Sequence, residues 1–119
     1  MLIYLQANLH PDSLNLTTNS SAAATIPSAL IQSRQLRADW PDGRIALAWL
    51  FQPASGDYWH SGGTGGYSSY AIFNPKGDFA VIVLSNTAPS PRTFGSFADR
   101  LGHHIRQRLA GERAISLAN

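Results

Sequence analysis

The fold of this chain is decided by the stretch Trp59-His60-Ser61-Gly62-Gly63-Thr64-Gly65-Gly66-Tyr67. Glycine occupies four of the five positions from 62 to 66. Glycine weakens strands and helices, but it tolerates positive φ and lets a ligand approach the backbone closely. An apolar-aromatic segment leads into the stretch, and a β-rich segment follows it at residues 67–73. The stretch therefore predicts a β-hairpin. Its turn either binds a ligand through polar groups or is a flexible turn with no chemical role.

The composition predicts one folded domain over residues 1–119. Hydrophobic residues make up 44% of the chain and charged residues 13%, as in globular proteins. The net charge is only +2, and the arginines are scattered, so nucleic-acid binding is not expected. The absence of cysteine excludes disulfides and a thiolate nucleophile. The strongly apolar run at residues 79–84 is too short to cross a membrane, and we expect no membrane partner.

Turn residues and hydrophobic periodicity divide the chain into five segments. Pro27 is expected at the first position of the second helix, Ser90 is expected to cap the last helix, and Gly111 lies just beyond its end. The predicted segments are a helix at 1–10, a loop at 13–25, a helix at 27–37, a sheet at 44–87 and a helix at 91–110.

The sheet segment predicts an antiparallel meander of three to four strands. Residues 45–51 form a continuous apolar run, which is typical of a strand covered on both faces. Residues 67–74 and 79–84 are further strands, and a strong turn separates them. The last helix places five apolar residues on one face, so we expect it to lie across the sheet: Phe94, Phe97, Leu101, Ile105 and Leu109. The fold class is therefore α+β, with N-terminal helices and a C-terminal helix packed on the sheet.

Few residue patterns in the chain could carry chemistry. His103 and His104 are adjacent on a helix, so their side chains diverge by about 100° and cannot share a metal ion. We expect neither a metal nor a cofactor. The segment His60-Ser61-Gly62 is different, because it places a cation or proton donor, a hydroxyl and bare backbone side by side. Such a strand can hold an acyl substrate with an N–H aimed at a developing oxyanion; alternatively, His60 is a structural histidine packed by Trp59.

Several segments together resemble the C-terminal third of the serine β-lactamase-like hydrolases. This group includes class C β-lactamases, penicillin-binding-protein-like esterases and D-aminopeptidases. The resemblance is carried by residues 59–70, by Phe73-Asn74-Pro75 and by Val81-Ile82-Val83-Leu84-Ser85-Asn86-Thr87. Residues 4–9 and 45–49 are also similar to the family's helix and strand before its third motif. The resemblance implies a partial β-lactamase/transpeptidase-like fold.

The resemblance also implies roles for individual residues. Family members build their site from a Ser-x-x-Lys, a Tyr-x-Asn and a Lys/His-Thr/Ser-Gly strand. His60-Ser61-Gly62 matches the third motif, with histidine in the lysine position. The match implies that Gly63 N–H is an oxyanion donor and that Ser61 contacts a small acyl substrate. The remaining residues assigned to substrate binding are Gly62, Thr64 and Asn86.

The first two motifs are missing from this sequence. Lys76 is the sole lysine, and Phe73 stands three residues before it. None of the four tyrosines is followed by asparagine two residues later. An oxyanion donor without a nucleophile leaves weak catalysis at best. We therefore expect the C-terminal part of a serine hydrolase that is inactive alone.

A second hypothesis belongs to a different functional class. In the resembled fold, the strand at 79–84 pairs with an N-terminal strand that this sequence lacks. Its free edge would be a template for another strand. The alternative function is thus a non-catalytic assembly module, which forms a homo-oligomer or pairs with the missing N-terminal portion through residues 79–84.

Overall fold

Three helices and six strands make up the part of the chain that the computed structural model describes, which is residues 1–14, 21–89 and 95–118. A short 3₁₀ turn at Pro11–Ser13 follows the first helix. The helices are α1 (Leu2–Leu9), α2 (Ser21–Ser33) and α3 (Phe97–Leu109). The strands are β1 (Ala38–Trp40), β2 (Gly43–Ile45), β3 (Leu50–Gln52), β4 (Asp57–Thr64), β5 (Tyr67–Asn74) and β6 (Phe79–Ser85).

The six strands form one antiparallel sheet in the order β1-β2-β3-β4-β5-β6, so each strand pairs with its neighbour in the chain. This confirms the α+β meander, with more strands than the three to four expected. The central hairpin pairs Thr64 with Tyr67 and leaves two glycines as its turn. Gly65 and Gly66 have φ of 52° and 92°, as a type I′ hairpin turn requires. The glycine stretch therefore does form the predicted hairpin.

Helices cover the two faces of the sheet at β5 and β6. On one face, here called the front face, Leu5 of α1 packs with Ala71 and Phe73. On the opposite back face, Ala98 of α3 packs with Tyr70 and Ile72. The alternation of side chains along β5 sends odd and even positions to different helices. The C-terminal helix thus packs on the sheet as expected.

The apolar run at 45–51 is not one strand. It comprises the end of β2, a turn over residues 46–49 and the start of β3. The turn is closed by a hydrogen bond of 2.8 Å from Ala46 N–H to the Trp49 carbonyl, and Ala48 has φ of 60°. Ala46 and Trp49 are buried in the front-face core with Leu5 of α1, whereas Leu47 and Ala48 between them are exposed. The sheet also begins earlier than residue 44, because β1 pairs with β2.

The second helix begins earlier than predicted. Pro27 lies inside α2 and not at its first position, and α2 ends at Ser33. An alanine-rich segment before Pro27 extends the helix backwards, since alanine has the highest helix propensity. Residues 21–25 of the predicted loop are therefore helical, and residues 15–20 of that loop lie outside the described part.

The last helix begins at Phe97 and not at residue 91. Its N-cap is Ser96, whose hydroxyl accepts from Asp99 N–H at 3.1 Å, and Asp99 completes a capping box. The predicted cap Ser90 and the face residue Phe94 lie outside the described residues. At the other end, Gly111 has φ of 72°, as predicted for a residue that terminates a helix.

The buried face of α3 also differs from the predicted apolar stripe. Leu101 and Ile105 pack on the back-face cluster as predicted, but Phe97 and Leu109 are exposed, and the fully buried positions are Ala98, Gly102 and Arg106. Two contacts explain which face of α3 is buried. The Tyr70 ring packs so closely on Gly102 that a Cβ there would overlap it, and Arg106 pairs with buried Asp57 at 2.7 Å. A face containing an arginine is therefore the one that contacts the sheet.

Candidate functional site

Strand β4 carries the predicted site, and its register sets which face each residue occupies. His60 is opposite Ala71 and Ser61 is opposite Tyr70. Since Ala71 belongs to the front cluster and Tyr70 to the back cluster, His60 lies on the front face and Ser61 on the back face. The two side chains of the predicted motif therefore do not share a face.

Among the described strands, none pairs with one edge of β4 beside the motif. The ladder between β3 and β4 stops at the pair Leu50–Trp59, while β4 continues to Thr64. The other edge of this segment pairs with β5 along its whole length. Backbone N–H and C=O groups that point away from β5 are therefore accessible along residues 60–64, which is the geometry needed for backbone contacts to an acyl substrate.

A cavity of about 470 Å³ lies on the front face, between α1 and β4; we call it the front cavity. His60, Gly62 and Ser69 contribute its polar part. Tyr4 and Trp49 line it as well, and their rings are stacked with centroids 6.3 Å apart. Trp49 is held in turn by an edge-to-face contact with Phe73 at 4.8 Å. His60 is thus exposed toward an aromatic-walled cavity.

A second cavity of about 470 Å³ lies at the glycine end of the hairpin; we call it the turn cavity. It brings together Gly62, Gly63, Thr64 and Asn86. Asn86 reaches the glycines because β5 aligns Ser68 with both Gly63 and Ser85. The structure therefore brings these four residues together, and Gly62 also borders the front cavity beside His60 and Ser61.

Gly63 has a packing role besides its accessible backbone. A Cβ at Gly63 would lie 2.6 Å from Cγ of Pro89. The segment after β6 consequently sits against β4 only because residue 63 has no side chain. Ser68 reinforces this arrangement, since its hydroxyl donates to the Thr87 carbonyl at 2.9 Å.

Sequence reasoning missed the walls of the front cavity. Tyr4 comes from a helix and Trp49 from a turn that was interpreted as strand, so no local pattern marks either as a site residue. Ser69 could have been found, because it pairs with Gly62 across the central hairpin. The hairpin register follows directly from the Gly65–Gly66 turn.

The back face carries a separate polar and aromatic cluster. The Tyr70 hydroxyl and His103 Nε2 are 3.3 Å apart, and the rings of Tyr70 and Trp59 are stacked at 6.0 Å. Burial raises the pKa of Tyr70 well above its usual value, and Asp57 and Asp99 add to this effect. Burial lowers the pKa of His103, Asp99 opposes that shift and Arg106 reinforces it. Tyr70 therefore remains protonated and His103 is neutral at pH 7, and a hydrogen bond joins the Tyr70 hydroxyl to His103 Nε2.

Two further properties concern the described residues alone. In residues 1–14, 21–89 and 95–118, no three histidine, aspartate or glutamate side chains come together as metal ligands would. Within the same ranges, every helix is too short or too polar to span a bilayer.

The structure thus combines an antiparallel meander, helices on both faces of the sheet, and the segment His60-Ser61-Gly62 on β4. The family model described as Beta-lactamase matches residues 1–103. The chain therefore belongs to the beta-lactamase family. A search of curated proteins found no match.

Proposed function

We propose that this chain is the C-terminal portion of a serine β-lactamase-like hydrolase and supplies the third motif of its acyl-transfer site. The observation that carries the proposal is the open edge of β4 at residues 60–64, which borders both the front cavity and the turn cavity. An acyl substrate lying along this edge would meet backbone donors on one side and His60 on the front face.

Each motif residue has a distinct role in the proposal. Gly63 N–H stabilises the oxyanion that forms when a serine from another segment attacks the carbonyl carbon. Ser61 and Thr64 contact the substrate along the strand, and Asn86 borders the end of the turn cavity. The substrate class is a β-lactam, an ester or a D-amino-acid peptide, hydrolysed through an acyl-enzyme.

The chain alone should not turn over such substrates, because its sequence has neither Ser-x-x-Lys nor Tyr-x-Asn. The test is hydrolysis of nitrocefin and of p-nitrophenyl esters by the purified chain, with buffer as the reference. We expect no rate above the reference. Turnover that persists in both His60→Ala and Ser61→Ala would place the chemistry elsewhere and contradict the proposal.

A complementation experiment tests the proposed roles directly. The chain is mixed with an N-terminal segment of a family member that contains the first two motifs and stops before the third. We expect turnover only in the mixture, and a rate at least about tenfold lower with His60→Ala, as for loss of a proton-transfer group. The matched control is His10→Ala, a histidine paired with Asp78 on the surface at 2.8 Å, which should leave the rate unchanged. Equal rates for both variants would contradict the role of His60.

A second candidate function is a non-catalytic assembly module. The observation that favours it is the position of β6, which ends the sheet and pairs with β5 alone among the described strands. We propose that this edge binds a further strand, from another copy or from the N-terminal portion of the hydrolase.

A further inference from the structure

The turn between β1 and β2 contains the only aspartate of the chain that is followed by glycine, Asp42-Gly43. In such a pair, the backbone nitrogen of the glycine can attack the carboxyl carbon of the aspartate, because glycine has no Cβ to block the approach. The attack requires a carboxylate without partners and a backbone nitrogen that can leave its hydrogen-bonded position. Residues 38–45 meet both requirements.

The Asp42 side chain is exposed, and its carboxylate has no hydrogen-bond or ion-pair partner among the described residues. Its main-chain carbonyl accepts from Gln52 Nε2 at 3.3 Å, but that contact does not involve the carboxylate. Hydrogen bonds or ion pairs hold four of the other five aspartates: Asp39, Asp57, Asp78 and Asp99. The Asp42 carboxyl carbon is therefore accessible to its neighbour.

The hairpin that holds Gly43 is weak. Gly43 is paired with Trp40, and β1 has only three residues, all exposed, and pairs with β2 alone among the described strands. Neither Pro41 nor Asp42 has positive φ, so the turn is not of the I′ or II′ type that matches the twist of a hairpin. Opening of the Trp40–Gly43 pair therefore costs little, and it releases the Gly43 nitrogen.

Packing explains why glycine stands at this reactive position. A Cβ on residue 43 would overlap the Phe51 carbonyl oxygen of β3. Strand β2 can therefore lie against β3 in the observed way only with glycine here. A larger residue, which would slow the attack on Asp42, does not fit.

We propose that Asp42 isomerises spontaneously to isoaspartate, which makes the β1–β2 turn a modification site. The Gly43 nitrogen bonds to Asp42 Cγ, and the carboxyl hydroxyl and the amide proton leave as water, so that a cyclic imide forms. Water then adds to the main-chain carbonyl carbon of Asp42 and breaks its bond to the Gly43 nitrogen. The main chain now runs through Cβ and Cγ, and the α-carboxylate is free. The mass is unchanged, and water is the only reagent.

The product has a local structural effect. It inserts one methylene group into the main chain of a two-residue turn, so Trp40 and Gly43 no longer face each other. We expect β1 to detach from β2, while the long pairing between β4 and β5 persists. The modification lies outside the proposed hydrolase site and does not depend on it.

Peptide mapping of the folded chain, incubated for weeks at neutral pH, tests the site, because isoaspartyl peptides separate from aspartyl peptides of equal mass. We expect the isomer to form at Asp42 several-fold faster than at Asp12, which is also exposed but is followed by serine. Asp42→Glu is the control variant, since the same attack would have to close a less favourable six-membered ring. Equal rates at Asp42 and Asp12, or isomerisation of Asp42 only in urea, would overturn the proposal.

Hydrogen exchange of the isolated isomer tests the structural effect. We expect amides of β1 and β2 to lose protection relative to the unmodified chain, and amides of β5 to keep it. Unchanged protection of β1 and β2, or an equal loss in β5, would contradict a local effect. Neither experiment involves turnover, so the hydrolase proposal stands or fails separately.

Discussion

Gly102 lies at a residue-scale contact between α3 and the sheet. A Cβ added there would overlap the ring of Tyr70. That ring is fully buried and lies between Trp59 and His103, with centroid distances of 6.0 and 5.0 Å. Alanine would favour the helix by about 1 kcal/mol, whereas overpacking costs about 1–3 kcal/mol. The cost of the overlap should exceed the gain in helix propensity, because the Tyr70 ring has neighbours on both sides and cannot move away.

We predict that Gly102→Ala lowers the free energy of unfolding by up to about 2 kcal/mol, measured by urea denaturation. The control is the same substitution in a Tyr70→Leu background, where the ring is gone. There, helix propensity should dominate, and Gly102→Ala should be neutral or stabilising. An equal loss in both backgrounds would show that the Tyr70 ring is not the cause.

His103 should make stability depend on pH. Because burial lowers its pKa in the folded state, the unfolded chain binds a proton more readily. The contribution of His103 is thus fully present above its ordinary pKa near 6.5 and is lost as pH falls toward the lowered folded value. Asp99, Asp57 and Arg106 are the charged groups that act on it.

The measurement compares the wild-type chain with His103→Gln by urea unfolding at pH 7.5 and 5.5. We expect the wild type to lose more stability on acidification than the variant, since glutamine does not titrate. The remaining three histidines are common to both proteins, so the difference isolates His103. Parallel pH profiles would contradict the assignment.

At the scale of elements, a buried polar network joins β4, β5 and α3. Asp57 begins β4 and accepts from Arg106 Nε at 2.7 Å and from Asn74 Nδ2 at 2.8 Å. Asn74 ends β5 and also donates to the Ser55 carbonyl at 2.9 Å. Arg106 contacts Glu112 as well, beyond the end of the helix. The network therefore sets where α3 lies on the back face.

We predict that Asp57→Ala destabilises the chain by about 3–5 kcal/mol, because it leaves the Arg106 charge buried without its main partner. Glu112→Ala removes the other partner of the same guanidinium, but Glu112 has a side chain that is 49% exposed. That variant should therefore lose only about 0–1 kcal/mol. Thermal or urea unfolding of the two variants provides the comparison, and equal losses would contradict the buried role of Asp57.

The hairpins of the sheet were predictable because their turns have distinctive residues. Gly65 and Gly66 mark the central hairpin, and the Asn74 side chain accepts from Gly77 N–H at 2.7 Å in the next turn. The turn at residues 46–49 was not predictable from polarity, since all four of its residues are apolar although only Ala46 and Trp49 are buried. A local sequence pattern identifies a solvent-facing turn more readily than it identifies a turn whose side chains enter the core.

Long-range partners explain the other differences. The apolar periodicity of the last helix did not indicate that Arg106 is buried, and its burial depends on Asp57, which is 49 residues away. In the candidate site, Gly62, Gly63, Thr64 and Asn86 meet because a meander aligns consecutive strands, which the sequence indicates. Tyr4 and Trp49 enter the front cavity through tertiary packing, which the sequence does not indicate.

At the scale of the whole molecule, the helices cover the sheet unevenly. The radius of gyration is 15.6 Å, against about 13.5 Å expected for a compact domain of this length. Both α1 and α3 pack on β5 and β6, whereas all three residues of β1 are exposed. Local stability should follow this distribution of buried contacts.

We predict that backbone amides of β1–β3 exchange with solvent faster than those of β5, measured by hydrogen–deuterium exchange with mass spectrometry. The physical reason is that β5 is buried between two helices and two strands, so it opens only with the whole fold. The comparison is internal to one sample, with α3 as a second protected reference. Equal protection of β1 and β5 would contradict uneven stability.

The sequential strand order has a kinetic consequence. Every ladder in the sheet joins strands that follow each other in the chain, so no strand pairing requires a long loop to close. Two connections in the sheet have only two residues, Pro41–Asp42 and Gly65–Gly66, and the second joins the two eight-residue strands β4 and β5, so we expect this hairpin to form first. Folding can then spread outward from this hairpin one strand at a time, which is the behaviour of a low-contact-order protein that folds quickly.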